Sequence, residues 1–358
     1  MIAFNVNPDI KKSETLPSEF YLDNKYFKFC SESLFPSSWQ LIADIDIFEK
    51  NNTYPFSFLE GFIDEPLVLV KNGNSIICLS NVCTHRAHLI STEPCQNNKL
   101  RCIYHGRKFN LDGSFHSMPG FKDVENFPTT KDNLEHIPIY KWKKFILVSL
   151  EKNIDISPVF KDIESRLPNF PFEELFYDKK NSYTGQIKAH WAMYCENYLE
   201  GFHVPFVHKG LASEIDMGNY RTVLLENAVL QIAEDEKGSK ILKNLYKPNE
   251  NVYALYYWVF PNIMFNFYSW GLSINIIEPL DNNYTRIRFL SYPIKTRSQP
   301  DEGEATLDRV EKEDQAVVQN VQKGIRSRYY SSGRYSPKYE KGVHHFHLLI
   351  NKFIQSYK

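Results

Sequence analysis

The chain has 358 residues, of which 42% are hydrophobic and 24% charged, and its formal net charge is −1. That length fits two domains better than one core or three, and the composition excludes a disordered chain. The balanced charge gives no field that would draw the chain to nucleic acid or to an anionic membrane.

The opening residues MIAFNVNPDIKKSETLP carry no basic segment followed by an apolar stretch, so no secretory leader is expected. The apolar run Tyr253 to Phe260 stops at Pro261, short of the roughly 20 residues a membrane span needs. A cytoplasmic protein is the expectation. The six cysteines, Cys30, Cys78, Cys83, Cys95, Cys102 and Cys195, are too scattered for a disulfide scaffold, and in a reducing compartment spaced Cys and His residues point to metal.

In chain order, residues 1–38 read as an N-terminal arm with a helix, and 39–150 as a small all-β domain. LVLV and SIICL flank Lys71-Asn72-Gly73-Asn74, a hairpin signal. A second turn lies at Asn110-Leu111-Asp112-Gly113, and HIPIYKWKKFILVSL supplies closing strands. Residues 151–358 form a second, α+β domain. It has candidate helices at Pro171 to Leu175 and Ala189 to Pro205, then the aromatic-rich strands YALYYWVF, IMFNFYSW, LSINIIEPL and YTRIRFLSYPI of one antiparallel sheet. Glu302 to Arg328 reads as a long helix, with Leu307, Val310, Val317, Val318, Val321 and Ile325 at helical spacing.

Two sets of residues carry chemistry. Cys83-Thr84-His85 and, after sixteen intervening residues, Cys102-Ile103-Tyr104-His105 give each of two loops one thiol and one imidazole. A zinc ribbon pairs like with like instead, whereas a Rieske [2Fe–2S] centre takes two thiolates on one iron and two imidazoles on the other. Gly106 lets backbone come close, having no Cβ. Downstream, NYLEGFHVPFVH places Glu200 and His203 three apart, on one face of a helix, with His208 five further on. Pro205 is expected to break that helix, so that the two imidazoles converge. Two histidines and a carboxylate with open positions form the facial triad of Fe(II) oxygenases. The dense cluster His344, His345 and His347 lacks a matching carboxylate pattern and reads as structural.

CTHRAHL followed by CIYHGRKFNLDG resembles the Rieske domain of the aromatic-ring-hydroxylating oxygenase α-subunit family. Respiratory Rieske proteins carry an extra cysteine in each loop, where this chain has His88 and Tyr104; Cys95 is expected to be a buried free thiol. The resemblance implies an all-β Rieske domain followed by a helix-grip catalytic domain, an antiparallel sheet with a long C-terminal helix. It implies iron ligation by His203 and His208, with Asn197 and the acidic Glu200 upstream, and a downstream helical Asp. Asp314 fits that position, with Asp308 and Glu311 as competitors.

In the family the residue at Glu200 bridges the catalytic site to the cluster histidine, here His105, of a neighbouring subunit. A homotrimer is implied, as is O2 as co-substrate, with electrons from NAD(P)H through a separate reductase, with or without a ferredoxin. No G-x-G-x-x-G follows a strand in this chain. NYLEGFHVPFVHKG and EKGVHHFH resemble the choline monooxygenase, N-demethylating branch, so a small quaternary ammonium substrate is expected and aromatic-ring dioxygenation is the alternative. A Rieske electron carrier without oxygenase activity ranks lower. Phe260, Phe265, Phe267, Tyr268 and Trp270 are candidate pocket walls, Phe265, Tyr268 and Trp270 foremost, since an aromatic box can hold a trimethylammonium group.

Overall fold

A computed structural model describes residues 4–152, 154–212, 215–234, 242, 245, 252–297 and 307–356. The chain divides into two compact units, Pro36–Asn153 and a second made of Met1–Phe35 with Ile154–Lys358.

The smaller unit is all β. Strands β1 (Gln40–Asp44), β2 (Thr53–Phe58), β3 (Glu65–Asn72), β4 (Ser75–Ser80), β5 (Leu100–Arg101), β6 (Lys108–Phe109), β7 (Phe115–Ser117), β8 (His136–Ile137), β9 (Ile139–Trp142) and β10 (Phe145–Val148) form three small sheets. Their orders are β1-β10-β9, β2-β3-β4-β8 and β5-β6-β7. The Asn-Gly signal is the β3–β4 hairpin, with Asn72 opposite Ser75 and Gly73 at φ +59°. Val68, Val70, Leu79, Ile90, Leu100, Phe109 and Leu134 make a core that also contains Cys83 and Cys102. Cys95 is free and half-buried, its Sγ accepting from Asn97 Nδ2 at 2.8 Å.

The larger unit is built on one seven-stranded antiparallel sheet, ordered β11-β17-β16-β15-β14-β13-β12. These strands are β11 (Tyr183–Ile187), β12 (Arg221–Leu225), β13 (Ala228–Glu234), β14 (Val252–Val259), β15 (Ile263–Tyr268), β16 (Gly271–Asp281) and β17 (Tyr284–Pro293). β15 is buried along its whole length, while the edge strands β11 and β12 are largely exposed, so helices cover the middle of the sheet and the rims meet water.

The helices are α1 (Ser18–Leu22), α2 (Asn24–Phe29), α3 (Ser157–Arg166), α4 (Trp191–Tyr198), α5 (Val204–Val207), α6 (Lys209–Ala212), α7 (Leu307–Gly324) and α8 (Lys341–Ser356). Residues 302–306 of the expected long helix lie outside the described residues, and its last four expected residues are not helical. α8 has no counterpart among the elements read from the sequence.

The N-terminal helices pack onto this larger unit. Tyr21 Oη donates to Glu196 at 2.6 Å and Phe35 meets the Trp191 ring edge-on at 5.1 Å. The expected helix at Pro171 to Leu175 is a single 3₁₀ turn, Phe172–Glu174. No described helix is long and apolar enough to cross a membrane.

Candidate functional site: two metal centres

The two Cys/His loops have the same backbone closure. Cys83 N–H donates to the His88 carbonyl (2.9 Å) and Ala87 N–H to that of Cys83 (3.0 Å); in the second loop Cys102 pairs with Arg107 (2.9 Å) and Gly106 with Cys102 (3.1 Å). The fifth residue of each loop must take a positive φ, +54° at Ala87 and +76° at Gly106. Glycine takes it freely; alanine carries left-handed strain.

Both sulfurs lie buried at the loop bases, the Cys83 thiol facing that of Cys102, and burial holds the Cys83 thiol above its ordinary value. The His85 and His105 rings stand 4.8 Å apart at the tips. Two adjacent buried thiols and two adjacent imidazoles at one place match the donor set of a mixed-ligand cluster, and a metal would drive the thiols to thiolate.

In the larger unit the helix carrying the second set ends earlier than its sequence suggests. α4 stops at Tyr198, and Leu199 caps it by donating to the Cys195 and Glu196 carbonyls. Pro205 is not the breaker; it lies in the first turn of α5, where its missing N–H costs nothing. Glu200 and His203 therefore meet across a turn and not along a helix face. Glu200 Oε2 accepts from His203 N–H at 3.0 Å, and Oε1 lies 2.7 Å from His203 Nδ1. Gly342 of α8 sits against the Leu199 carbonyl, with no room for a Cβ, and so fixes where this turn begins.

His203, His208 and Asp314 converge, each offering a donor atom within 4.8 Å of the others. Asp314 Oδ1 is 2.9 Å from His208 Nε2, 3.4 Å from His203 Nε2 and 2.7 Å from Asn197 Nδ2. Each imidazole is held from behind by a carboxylate, His203 by Glu200 and His208 by Glu313, whose Oε2 is 2.8 Å from Nδ1. Those contacts aim both Nε2 atoms at one point, as carboxylates behind metal-bound histidines do.

Burial by itself would depress the His203 pKa, but Asp314 and Glu200 outweigh it and raise it to about 9. Burial would raise Asp314, and the two imidazoles outweigh that, lowering it to about 2. Two imidazoles and one carboxylate in this arrangement suit Fe(II) with open positions.

The competing carboxylates stand elsewhere. The Asp308 side chain lies outside the described residues, and Glu311 binds Tyr194 and Asn275 instead. His344, His345 and His347 are tied apart: to the Asn7 carbonyl, to the Leu225 carbonyl, and to Tyr335 and Glu196.

Beside the triad lies a cavity of about 110 Å³, walled by Tyr194, Tyr198, Tyr220, Tyr253, Tyr256 and Tyr268. Of the foremost pocket residues only Tyr268 lines it. Side chains alternate along β15, so Asn266 and Tyr268 face the cavity while Phe265 faces the core against Phe160, at 5.8 Å. Trp270 stacks on Tyr268 at 5.4 Å without lining the cavity. Phe267 packs on Phe170 and Phe260 on Phe353, both at 5.4 Å. The wall tyrosines other than Tyr268, and Glu313, lie beyond sequence reasoning; for Glu313 the visible signal is a Glu beside the third ligand.

The model of the ring hydroxylating alpha subunit catalytic domain matches residues 172–356, over half the chain, and that of the Rieske [2Fe–2S] domain matches residues 38–128. The chain belongs to the ring-hydroxylating α-subunit family. It is a Rieske oxygenase component, an oxidoreductase whose domains are those of an iron–sulfur cluster and a mononuclear iron.

Among similar proteins, a choline monooxygenase of Arabidopsis thaliana is 28% identical, over 97% of this chain and 85% of the relative. The carnitine monooxygenase oxygenase subunit of Escherichia coli K12 is 28% identical, over 97% and 95%. A solved quaternary ammonium Rieske monooxygenase, described as transferring electrons between subunits, shares the fold with a TM-score of 0.77, at 20% identity over 98% of this chain and 100% of that one.

Proposed function

We propose that this oxygenase hydroxylates or N-demethylates a small quaternary ammonium compound. The observation that carries the reading is the His203–His208–Asp314 triad beside a tyrosine-walled cavity. Cys83 and Cys102 would hold one iron of the cluster and His85 and His105 the other, while His203, His208 and Asp314 would hold the mononuclear iron. When bound, the cluster supplies single electrons and the mononuclear iron the activation of O2.

Glu200 and Glu313 fix the tautomer and direction of the two iron-site imidazoles, and Asn197 holds Asp314 from the third side. Burial keeps the wall phenols of Tyr198, Tyr256 and Tyr268 neutral at working pH, so their π faces can receive a trimethylammonium group. The cavity, about 110 Å³, suits a small substrate. The choline and carnitine monooxygenases among its relatives support the same class.

Electrons would come from NAD(P)H through a separate reductase, with or without a ferredoxin, in a reducing compartment suited to four free thiols besides the two cluster cysteines, the cytoplasm. We assign Glu200 to the junction with His105 of a neighbouring subunit in a homotrimer. Ile103 and Tyr104 are exposed side by side at the cluster tip, and Phe202 and Phe206 beside the iron turn; these apolar pairs would be covered between subunits in that arrangement.

The test is turnover with a surrogate reductase and NADH, offering choline-like cations and simple aromatics. Formaldehyde or a hydroxylated amine is expected from the cations. A cis-diol from an aromatic, with the cations untouched, would replace this reading by ring dioxygenation.

A further inference from the structure

Among the described residues of the cavity wall, Glu311 is the acidic side chain not engaged with an imidazole. It sits on α7 one turn before Asp314, so the two share a helix face. Its Oε2 accepts from Tyr194 Oη and its Oε1 from Asn275 Nδ2 at 2.9 Å. Asn275 Oδ1 in turn accepts from Asn266 Nδ2 at 3.4 Å, and Asn266 Oδ1 from Tyr198 Oη at 2.7 Å. Every donor in this chain points toward Glu311, a polarity that favours negative charge at its end.

Among the described residues lining the cavity none is Lys or Arg. Glu200 and Asp314 are occupied by His203 and His208, which leaves Glu311 without a cation. Burial and the nearby Asp314 raise its carboxyl to about 8; an incoming cation would favour the ionised form.

We propose that Glu311 is the anionic partner of the substrate's cationic group, and that the pocket therefore selects cations without a carboxylate over zwitterions. This rests on the quaternary ammonium reading above. A carboxylate-bearing ammonium compound such as carnitine would bring a second negative charge into a wall that offers it no Lys or Arg and faces it with Glu311. An amino alcohol such as choline brings only the cation, which Glu311 meets by charge and the tyrosines by their π faces. Glu311 thus sets specificity; it is not a ligand of the metal.

The test uses the iron-replete holoprotein and calorimetric binding of three probes. These are choline, its neutral isostere 3,3-dimethylbutan-1-ol, and L-carnitine. Wild type is expected to bind choline roughly ten- to hundredfold more tightly than either of the others, the range for a charged group deprived of its partner. Glu311→Gln is expected to weaken choline about tenfold or more, leaving it only the preference the tyrosine π faces give a cation, while leaving the isostere unchanged.

Equal binding of choline and the isostere by wild type would overturn the proposal without any variant. So would an equal loss of both probes in Glu311→Gln, which would mark a structural role, and in that case choline binding by wild type would leave the quaternary ammonium reading standing. Failure of wild type to bind choline or L-carnitine would sink both.

Discussion

The carboxylates behind the two iron-site histidines are unequal in the structure, and their removal should be unequal too. Glu200 makes two contacts to His203, one to the ring at 2.7 Å and one to the backbone N–H at 3.0 Å, and its side chain is 14% exposed. Glu313 makes one contact to His208, at 2.8 Å, is 29% exposed, and shares its other oxygen with Arg309 at 3.1 Å. Losing a partner of this kind costs about 10- to 100-fold in metal affinity, which matches the roughly 1.5–3 kcal/mol of a hydrogen bond to a charged group. Exposure and sharing put Glu313→Gln near the lower end, and burial with two contacts puts Glu200→Gln near the upper.

The ratio between the two variants should therefore be about tenfold. It is read by anaerobic Fe(II) titration against a chelator in protein whose cluster is intact, with visible absorption reporting the cluster. Equal affinities, or a larger loss in Glu313→Gln, would refute the assignment of these carboxylates as unequal anchors.

Three other outcomes follow from the same geometry. Gly342→Ala drives a Cβ into the Leu199 carbonyl and should lower stability by about 1–3 kcal/mol together with iron content, read by thermal melts and metal analysis; an unchanged melt would show that α8 does not set the turn. Metal must displace the proton that Asp314 and Glu200, outweighing burial, hold on His203 up to about pH 9, so apparent Co(II) affinity should rise about tenfold per displaced proton between pH 6.5 and 7.5. In the metal-free protein the same proton stabilises the fold fully below the unfolded value, and this is lost as pH rises through about 9; a flat affinity profile would contradict the cluster of contacts.

In the cluster loops, Gly106→Ala meets only ordinary contact at Pro119, 3.5 Å away, so its cost is the left-handed φ, about 1–2 kcal/mol. Ala87→Gly, at φ +54°, should be neutral or stabilising by up to about 1 kcal/mol. Urea unfolding of both variants checks the opposite signs.

What was legible in the sequence was local. The Cys/His spacings, the Asn-Gly hairpin and the alternating aromatic strands depend on neighbours a few residues away, and the structure has each of them. The turn at Glu200 departs from the sequence expectation for a physical reason: Pro205 looks like a breaker, yet the helix ends where Leu199 caps it against α8, a contact between residues over a hundred positions apart.

The same distance hid Glu313 behind His208 and gathered the tyrosines of α4, β14 and β15 around one cavity. Phe265 was drawn to the pocket by its aromatic character alone; strand alternation turns it to the core. The three histidines of α8 stand together in the sequence, but the helix turns each to a separate backbone or side-chain partner.

Two separate iron centres stand on two separate sets of residues in this account of the chain's chemistry, and metal and sulfide analysis of His208→Ala beside wild type can tell them apart. Wild type should hold about three irons and two acid-labile sulfides per chain, and His208→Ala about two irons with both sulfides and an unchanged reduced-cluster EPR signal. Zinc without labile sulfide in wild type, or loss of sulfide along with iron in His208→Ala, would contradict it.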